Sequence, residues 1–362
     1  MNKEIIYIDY DETLNIYGKM IDASDGGFEG VRDEGGIRAA LDFVQNDLYY
    51  PTFADKLTYL MYRFCSGHFF NDGNKRIALT LGAYFLHKNN YVLINPHELF
   101  FVQDSQISRK QLYLPKGKKP LIFSFDDVNY DHRKMGKGMV DKLILDKNGE
   151  IATQTQKNGK IYISKDNEFV PILNSFVNSH PDFSFKGAKG VLCLTGYDGI
   201  LGYRTQSKNK TNRNQEIAEC KKVVQKLKSD GWIFACHSYG HYHMKKISLQ
   251  KFEQELKLWN DEVVPLIGKT DIYVYPYGEW EILNKNNQIS EKHKLLTDDG
   301  FKLFCGVGVK SFISMFPKNF DKSKQILFMD RCPLDGFTLK NRGKELSDLF
   351  PCQAVIDWQN RK

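Results

Sequence analysis

Between residues 30 and 90, apolar positions recur at three- and four-residue steps: Ile37, Ala40, Leu41 and Val44, then Leu57, Leu60, Met61 and Phe64. That spacing gathers them on one helical face and predicts an all-α segment over residues 1–100. A third apolar stretch, 77–86, follows Asp72-Gly73-Asn74, where Gly and Asn supply turn conformations and a helix start. From 101 to 119 the chain turns to Gln, Ser, Lys, Gly and Pro, closing with Pro115-Lys-Gly-Lys-Lys-Pro120, and this stretch reads as a linker. Beyond it, short apolar runs at 121–125, 190–195, 232–236, 271–275, 302–305, 325–329 and 352–356 read as buried strands. Amphipathic faces lie between them, one marked by Ile217, Cys220, Val223, Val224 and Leu227 and another by Phe252, Leu256, Trp259 and Val263. The alternation predicts a parallel sheet, open or closed into a barrel, over residues 120–362. Residues 150–164 break the rhythm and predict a hairpin turning at Asn158-Gly159.

A chain of 362 residues exceeds what one hydrophobic core usually organises, which agrees with two domains. The formal charge of +7 is scattered without a block of like charges, so it reads as solubility and argues against nucleic acid as a partner. Seven cysteines form no C-x-x-C pair, and an odd count argues for buried thiols over a disulfide framework. No run of 18 apolar residues exists, and the acidic start, Met1 to Asp11, lacks the basic-then-apolar layout of a secretion signal. As written, the expectation is a cytoplasmic protein with no membrane segment. An aromatic share of 13% suits a sugar-binding cleft and a packed core equally well.

Three segments in the second domain carry chemistry, each where a parallel strand should end. Asp126-Asp127 follow the run 121–125, and adjacent carboxylates there either form a solvated turn or need a cation. His237 and His241 follow the run 232–236; if a helix begins there, positions i and i+4 share a face and both imidazoles reach one ion, the alternative being capping or core histidines. His243 reads as a rim group. Pro276 and Gly278 bracket Tyr277 in a turn that can aim a backbone N–H at a developing oxyanion. Together they offer one carboxylate and two imidazoles for a divalent metal, a second carboxylate as base, and open coordination for water. Asp198, in a Gly-rich loop that reads equally well as a tight turn, joins Tyr239, Asp330 and Arg331 as candidates to line the cleft.

In this order, F-S-F-D-D, H-S-Y-G-H and Y-P-Y-G resemble the motifs of the polysaccharide deacetylases, the NodB-type enzymes of carbohydrate esterase family four. The resemblance implies an α/β fold, a distorted (β/α) barrel over 120–362, that holds Zn²⁺ or another divalent ion and removes acetyl groups from a carbohydrate. It makes Asp126 the general base, Asp127, His237 and His241 the metal ligands, and Tyr277 the residue whose backbone N–H meets the oxyanion. Two positions depart from the pattern. Val274 stands where many members carry Arg before the Pro-Tyr-Gly turn, and no His follows His293 to supply the general acid of a Leu-x-His motif. The late run ending Asp330-Arg331 is similar to subgroups that close on an Asp-Arg or Pro-Arg step. His293 itself sits in a polar stretch, 284–294, that reads as loop, so the proton donor is unassigned and O-acetyl substrates stay open.

In the first domain, His68-Phe-Phe-Asn-Asp72-Gly73-Asn74-Lys75-Arg76 places freed backbone N–H groups and two cations at a helix start, where phosphates bind. His68 is a candidate base and Asp72 a candidate Mg²⁺ group, with a polar helix-helix loop as the plainer reading. The run resembles the H-x-F-x-D-G-N-K-R signature of the Fic/Doc family, specifically the death-on-curing branch, and Gly30-Val-Arg-Asp33 and Tyr49-Tyr-Pro-Thr52 agree with it. The resemblance implies phosphotransfer or nucleotidyl transfer from ATP to a protein target, and a toxin controlled by an antitoxin. His68 is then catalytic, Phe70 a core anchor, Asp72 the metal group, and Gly73, Asn74, Lys75 and Arg76 the phosphate site. Because the similarity fades near Phe100, apolar helix faces are expected to lie uncovered. Three readings therefore stand: a metal-dependent carbohydrate deacetylase, a Fic/Doc-type transferase, and a sugar-binding barrel with weak turnover.

Overall fold

The computed structural model describes residues 5–22, 30–51, 53–103, 106–284, 286, 288–308, 313–315 and 327–331; the strand expected at 352–356 lies outside them. Four helices come first, α1 (Tyr10–Asp22), α2 (Glu34–Phe43), α3 (Phe53–Ser66) and α4 (Asn74–Lys88). Free N–H groups at a helix start need acceptors. Asp9 and Glu12 exchange side-chain-to-backbone bonds at the start of α1, and Asp33 accepts from the Gly36 amide at the start of α2. The apolar faces meet around Ile37, Tyr50, Phe64, Phe70 and Ile77. The uncovered face expected of so short a bundle is instead closed by the next helix, α5 (Phe169–Ser179). Ala83 and Leu86 of α4 share one core with Leu173, Phe176 and Val177 of α5.

Between bundle and barrel, the stretch read as a linker carries structure. β1 (Tyr91–Leu93) pairs in parallel with β4 (Lys119–Leu121), and β2 (Phe100–Gln103) forms an antiparallel hairpin with β3 (Gln106–Arg109). Phe100 and Ile107 of that hairpin are buried in the barrel's interior cluster, and His97 just before it bonds Asp271 at 2.8 Å, the residue preceding the third barrel strand in chain order after α5. A hairpin therefore fills the floor of the barrel.

The barrel sheet begins with β5 (Ser124–Phe125). An inserted antiparallel sheet follows, β6 (Lys137–Leu145), β7 (Ile151–Lys157) and β8 (Lys160–Ser164), and its second turn lies at Asn158-Gly159 as expected. After α5 come β9 (Val191–Leu194), α6 (Arg213–Ser229), β10 (Ile233–Cys236), α7 (Leu249–Glu262), α8 (Val264–Ile267), β11 (Ile272–Val274), α9 (Glu291–Asp299), β12 (Leu303–Val307), β13 (Ile313–Met315) and β14 (Leu327–Arg331). The strands order as β13-β14-β12-β11-β10-β9-β5, parallel except for β13. This is the distorted (β/α) barrel, preceded by a small helical domain. Alternate residues face opposite ways. Cys193, Ala235, Val274, Cys305 and Met329 fill the interior, whereas Leu194, Phe234, Tyr273, Phe304 and Phe328 pack in the larger core that also holds the helices. Both faces are apolar, which is why the strands read as unbroken apolar runs. Strands β5 and β14 are not ladder neighbours. Arg331 bridges them, donating to the Ser124 hydroxyl at 3.0 Å and to Asp126. No described helix is long and apolar enough to cross a membrane.

A further expectation fails at the polar stretch before β12. Residues 284–294 read as loop, yet α9 starts at Glu291, where Ser290 Oγ accepts from the His293 amide at 3.1 Å. Three flanking charges, Glu291, Lys292 and Lys294, mask a helix whose inner face is His293 and Leu296. His293 is 1% exposed, lies 3.2 Å from the Tyr275 hydroxyl through Nδ1, and burial pulls its pKa down to about 4. Between pH 6.5 and about 4, the unfolded chain binds a proton there that the folded chain refuses, so stability falls as pH drops through that window. In urea titrations at about pH 7 and about pH 4.5, the parent chain should lose up to about 3 kcal/mol more stability than His293→Leu. Equal losses would remove His293 as a source of acid sensitivity.

Candidate active site

Asp126 and Asp127 leave the carboxyl end of β5. Asp126 Oδ1 and Oδ2 accept a two-pronged bond from Arg331 at 2.7 and 2.9 Å, and His237 Nε2 lies 3.7 Å from Oδ2. Desolvation pushes the carboxyl up, but the neighbouring His237 imidazole and the hydrogen-bonded Arg331 guanidinium outweigh it and hold Asp126 well below the usual carboxylate range. Asp127 turns away in a left-handed conformation, φ 58, which sets its carboxylate 3.7 Å from His241 Nε2.

No helix begins at 237: the two histidines sit on a loop. Ser238 (φ 56) and His241 (φ 53) are left-handed, a path that no right-handed helix follows. Ser238 Oγ accepts from the His241 amide at 2.9 Å, Glu255 accepts from the Gly240 amide at 2.5 Å, and the Tyr239 hydroxyl donates to Glu262 at 2.6 Å. His237 Nδ1 lies 2.9 Å from the Val274 carbonyl. A carbonyl only accepts, so Nδ1 keeps its hydrogen and the Nε2 lone pair faces the site. Burial lowers the pKa of His241, which favours its neutral, cation-binding form.

Asp127, His237 and His241 each present one donor atom within 4.8 Å of the others. A tetrahedral divalent ion needs its donors roughly 3.3 Å apart, so small side-chain movements close the set. One carboxylate oxygen and two imidazole nitrogens suit Zn²⁺ and similar ions, and this donor chemistry fits the expected metal. Tyr277 stands at the end of β11 with φ 59 and 55% exposure. Its ring stacks on His243 at 3.9 Å, and His243 Nδ1 is held 3.0 Å from Glu279, so His243 lies on the rim.

The remaining cleft candidates fare differently. Tyr239 is buried and bonded to Glu262, hence part of the scaffold beneath the loop and not a sugar platform. Asp198 is also buried. It accepts from the His132 amide at 2.7 Å and pairs with Arg204 at 3.0 Å, tying two loops together. Gly199 beside it has φ +79, and a Cβ there would fall 1.9 Å from the Tyr203 carbonyl oxygen. Asp131, His132 and Asp198 make a second triad within 4.8 Å. Arg133 and Arg204 already neutralise its carboxylates. The sequence reading missed it, because Asp131-His132 sit in an aperiodic loop. Asp330 points to the opposite side of β14 from Arg331, where burial raises its pKa.

In the helical domain, the 68–76 loop is internally tied. Phe70 is buried and stacks on Tyr17 at 3.9 Å. Asn74 accepts from the Phe70 amide at 3.0 Å and donates to its carbonyl at 2.9 Å. Arg76, expected at phosphate, is buried and pairs with Asp72 at 2.9 Å and with Asp166 from the barrel side. His68 and Lys75 are exposed.

A carboxylate and two imidazoles thus converge at the ends of parallel strands of the barrel, a donor set able to hold a divalent ion. Residues 206–295 match the polysaccharide deacetylase family, and residues 7–86 match the Fic/DOC family. Among solved structures, the chain is similar to the deacetylase PplD of Streptococcus pyogenes in complex with acetate, at 13% identity over 70% of this chain and 78% of that one, with a TM-score of 0.39. It is also similar to a family 4 carbohydrate esterase from Streptomyces lividans in complex with acetate, at 14% identity over 36% of this chain and 50% of that one, with a TM-score of 0.22. No curated protein matches the sequence.

Calorimetric titration of the full chain with Zn²⁺ should show one strong site. Asp127→Ala or His241→Ala should weaken it by more than the roughly 10–100-fold typical of losing a supporting partner. Unchanged affinity in both variants would place the metal elsewhere.

Proposed function

We propose that the barrel hydrolyses acetyl groups on a carbohydrate, with Asp127, His237 and His241 holding a divalent ion and Asp126 acting as base. The observation that supports it best is the juxtaposition of an arginine-anchored carboxylate, Asp126, with the three-donor cluster. A divalent ion held there would polarise the acetyl carbonyl and acidify a water. Asp126, kept ionised, takes the proton of the attacking water. The backbone N–H of Tyr277, whose ring lies beside His241, serves as donor to the oxyanion that the attack creates. Arg331 positions Asp126, a task for which Val274 offers no guanidinium. His293, neutral and packed against Phe304 behind the sheet, is not the proton donor. An O-acetyl leaving group, less dependent on protonation than an amine, therefore stands beside N-acetyl as substrate.

A second reading, transfer from ATP to a protein through His68, draws support from the Fic/DOC match and the exposure of His68. The pairing of Arg76 with two carboxylates weighs against it, since a phosphate site needs that cation free.

Acetate release from N-acetylglucosamine oligomers and from an O-acetylated counterpart should fall with chelator and return with Zn²⁺. Asp126→Asn should lower kcat by roughly 10²–10⁴-fold. Undiminished release in that variant would sink the mechanism, and sugar binding without release in the parent chain would favour a binding module. Arg331→Met, read by steady-state kinetics, should lower kcat while KM stays within about threefold, because the guanidinium touches the base and not the substrate.

A further inference from the structure

Strand β8 is the outer strand of the inserted sheet, and among the described residues no strand pairs with its far side. Its three central residues are apolar and open to solvent: Ile161 at 62%, Tyr162 at 51% and Ile163 at 56% exposure. Proteins usually blunt such an edge with charge, proline or a bulge, and here the middle of the strand has none of these.

The backbone valence of this edge follows from its turn. Asn158 (φ 52) and Gly159 (φ 75) form a two-residue connection closed by Lys157 and Lys160, which are therefore a hydrogen-bonded pair. By alternation Lys160, Tyr162 and Ser164 spend their N–H and C=O groups on β7, while Ile161 and Ile163 aim theirs outward. A second copy of β8, antiparallel and centred on Tyr162, sets Ile161 opposite Ile163 and Ile163 opposite Ile161. Both are hydrogen-bonded pairs, so all four outward N–H groups find carbonyls. Tyr162 then faces Tyr162 in a close, non-hydrogen-bonded pair. Lys160 falls opposite Ser164, so no like charges meet across the seam. The strand is complementary to itself in bonding, apolarity and charge, as an isologous two-fold interface requires.

We infer that the chain self-associates through β8 into a two-fold dimer whose inserted sheets join into one. Five residues a side bury less than a standard stable interface, so the association should be weak and concentration-dependent. In sedimentation velocity on the full chain up to about 100 µM, the mass should rise toward twice 41.9 kDa. Ile161→Lys with Ile163→Lys should hold it at the monomer mass. A cysteine at the dyad tests the register independently of that variant's folding. Tyr162→Cys should give a disulfide-linked dimer on mild oxidation, because cross-strand Cα atoms about 4.5 Å apart accept a disulfide. Lys160→Cys and the parent chain should not. A parent that stays monomeric throughout overturns the inference. So does a dimer that survives the double lysine variant, or a Tyr162→Cys chain that fails to cross-link.

Discussion

The ion pair between Asp126 and Arg331 joins β5, at one edge of the barrel sheet, to β14, the last of its parallel strands. Strands β5 and β14 share no ladder hydrogen bonds, and the guanidinium at the end of one is bonded to the Ser124 hydroxyl of the other and to the carboxylate that follows it. Taking a guanidinium nearly out of water is costly, and two parallel charge-assisted bonds offset that cost only when the geometry is good. The pair thus imposes a spacing on the sheet and fixes the orientation and ionised state of the carboxylate proposed as base. Sheet closure and site chemistry rest on the same two side chains.

The histidine loop depends on a less visible support. Helix α7 buries Phe252, Glu255, Trp259 and Glu262. Two buried glutamates under a loop would be unfavourable alone. Here Glu255 takes the Gly240 amide and Glu262 takes the Tyr239 hydroxyl and the Ser207 amide at 3.2 Å, so the carboxylates supply the acceptors that a non-helical backbone lacks. This makes the left-handed turns at Ser238 and His241 tenable, and with them the convergence of both imidazoles. A loop also lets His237 sit deep, bonded to the Val274 carbonyl, while His241 stays near the mouth.

What the sequence reveals and what it hides follow from the range of the interactions. The strands were legible because both faces of a parallel sheet are apolar, and the candidate residues because strand ends in such folds carry the chemistry. The path between His237 and His241 was not legible, since its non-helical course is set by Glu255 and Glu262, which a hydropathy pattern assigns to solvent. The start of α9 was hidden by charges flanking a buried histidine. The β2–β3 hairpin was hidden by polar neighbours, although Phe100 and Ile107 plug the barrel floor. Arg331 stood out as a residue, but nothing local announces a bond across 205 positions of chain.

The same logic governs the helical bundle. A segment whose resemblance fades near Phe100 should expose the outer face of α4, yet Ala83 and Leu86 are buried in the barrel's own core. His87 bonds Asp182 at 2.7 Å, and Arg76 pairs with Asp166 at the end of the inserted sheet. The 68–76 loop therefore takes part of its structure from residues that follow the barrel's first strand. An isolated bundle would lose the hydrophobic cover of α4 and one of the carboxylates that bind Arg76, so both its stability and the charge around that cation depend on the barrel. The charge balance of the loop is set jointly by both halves of the chain.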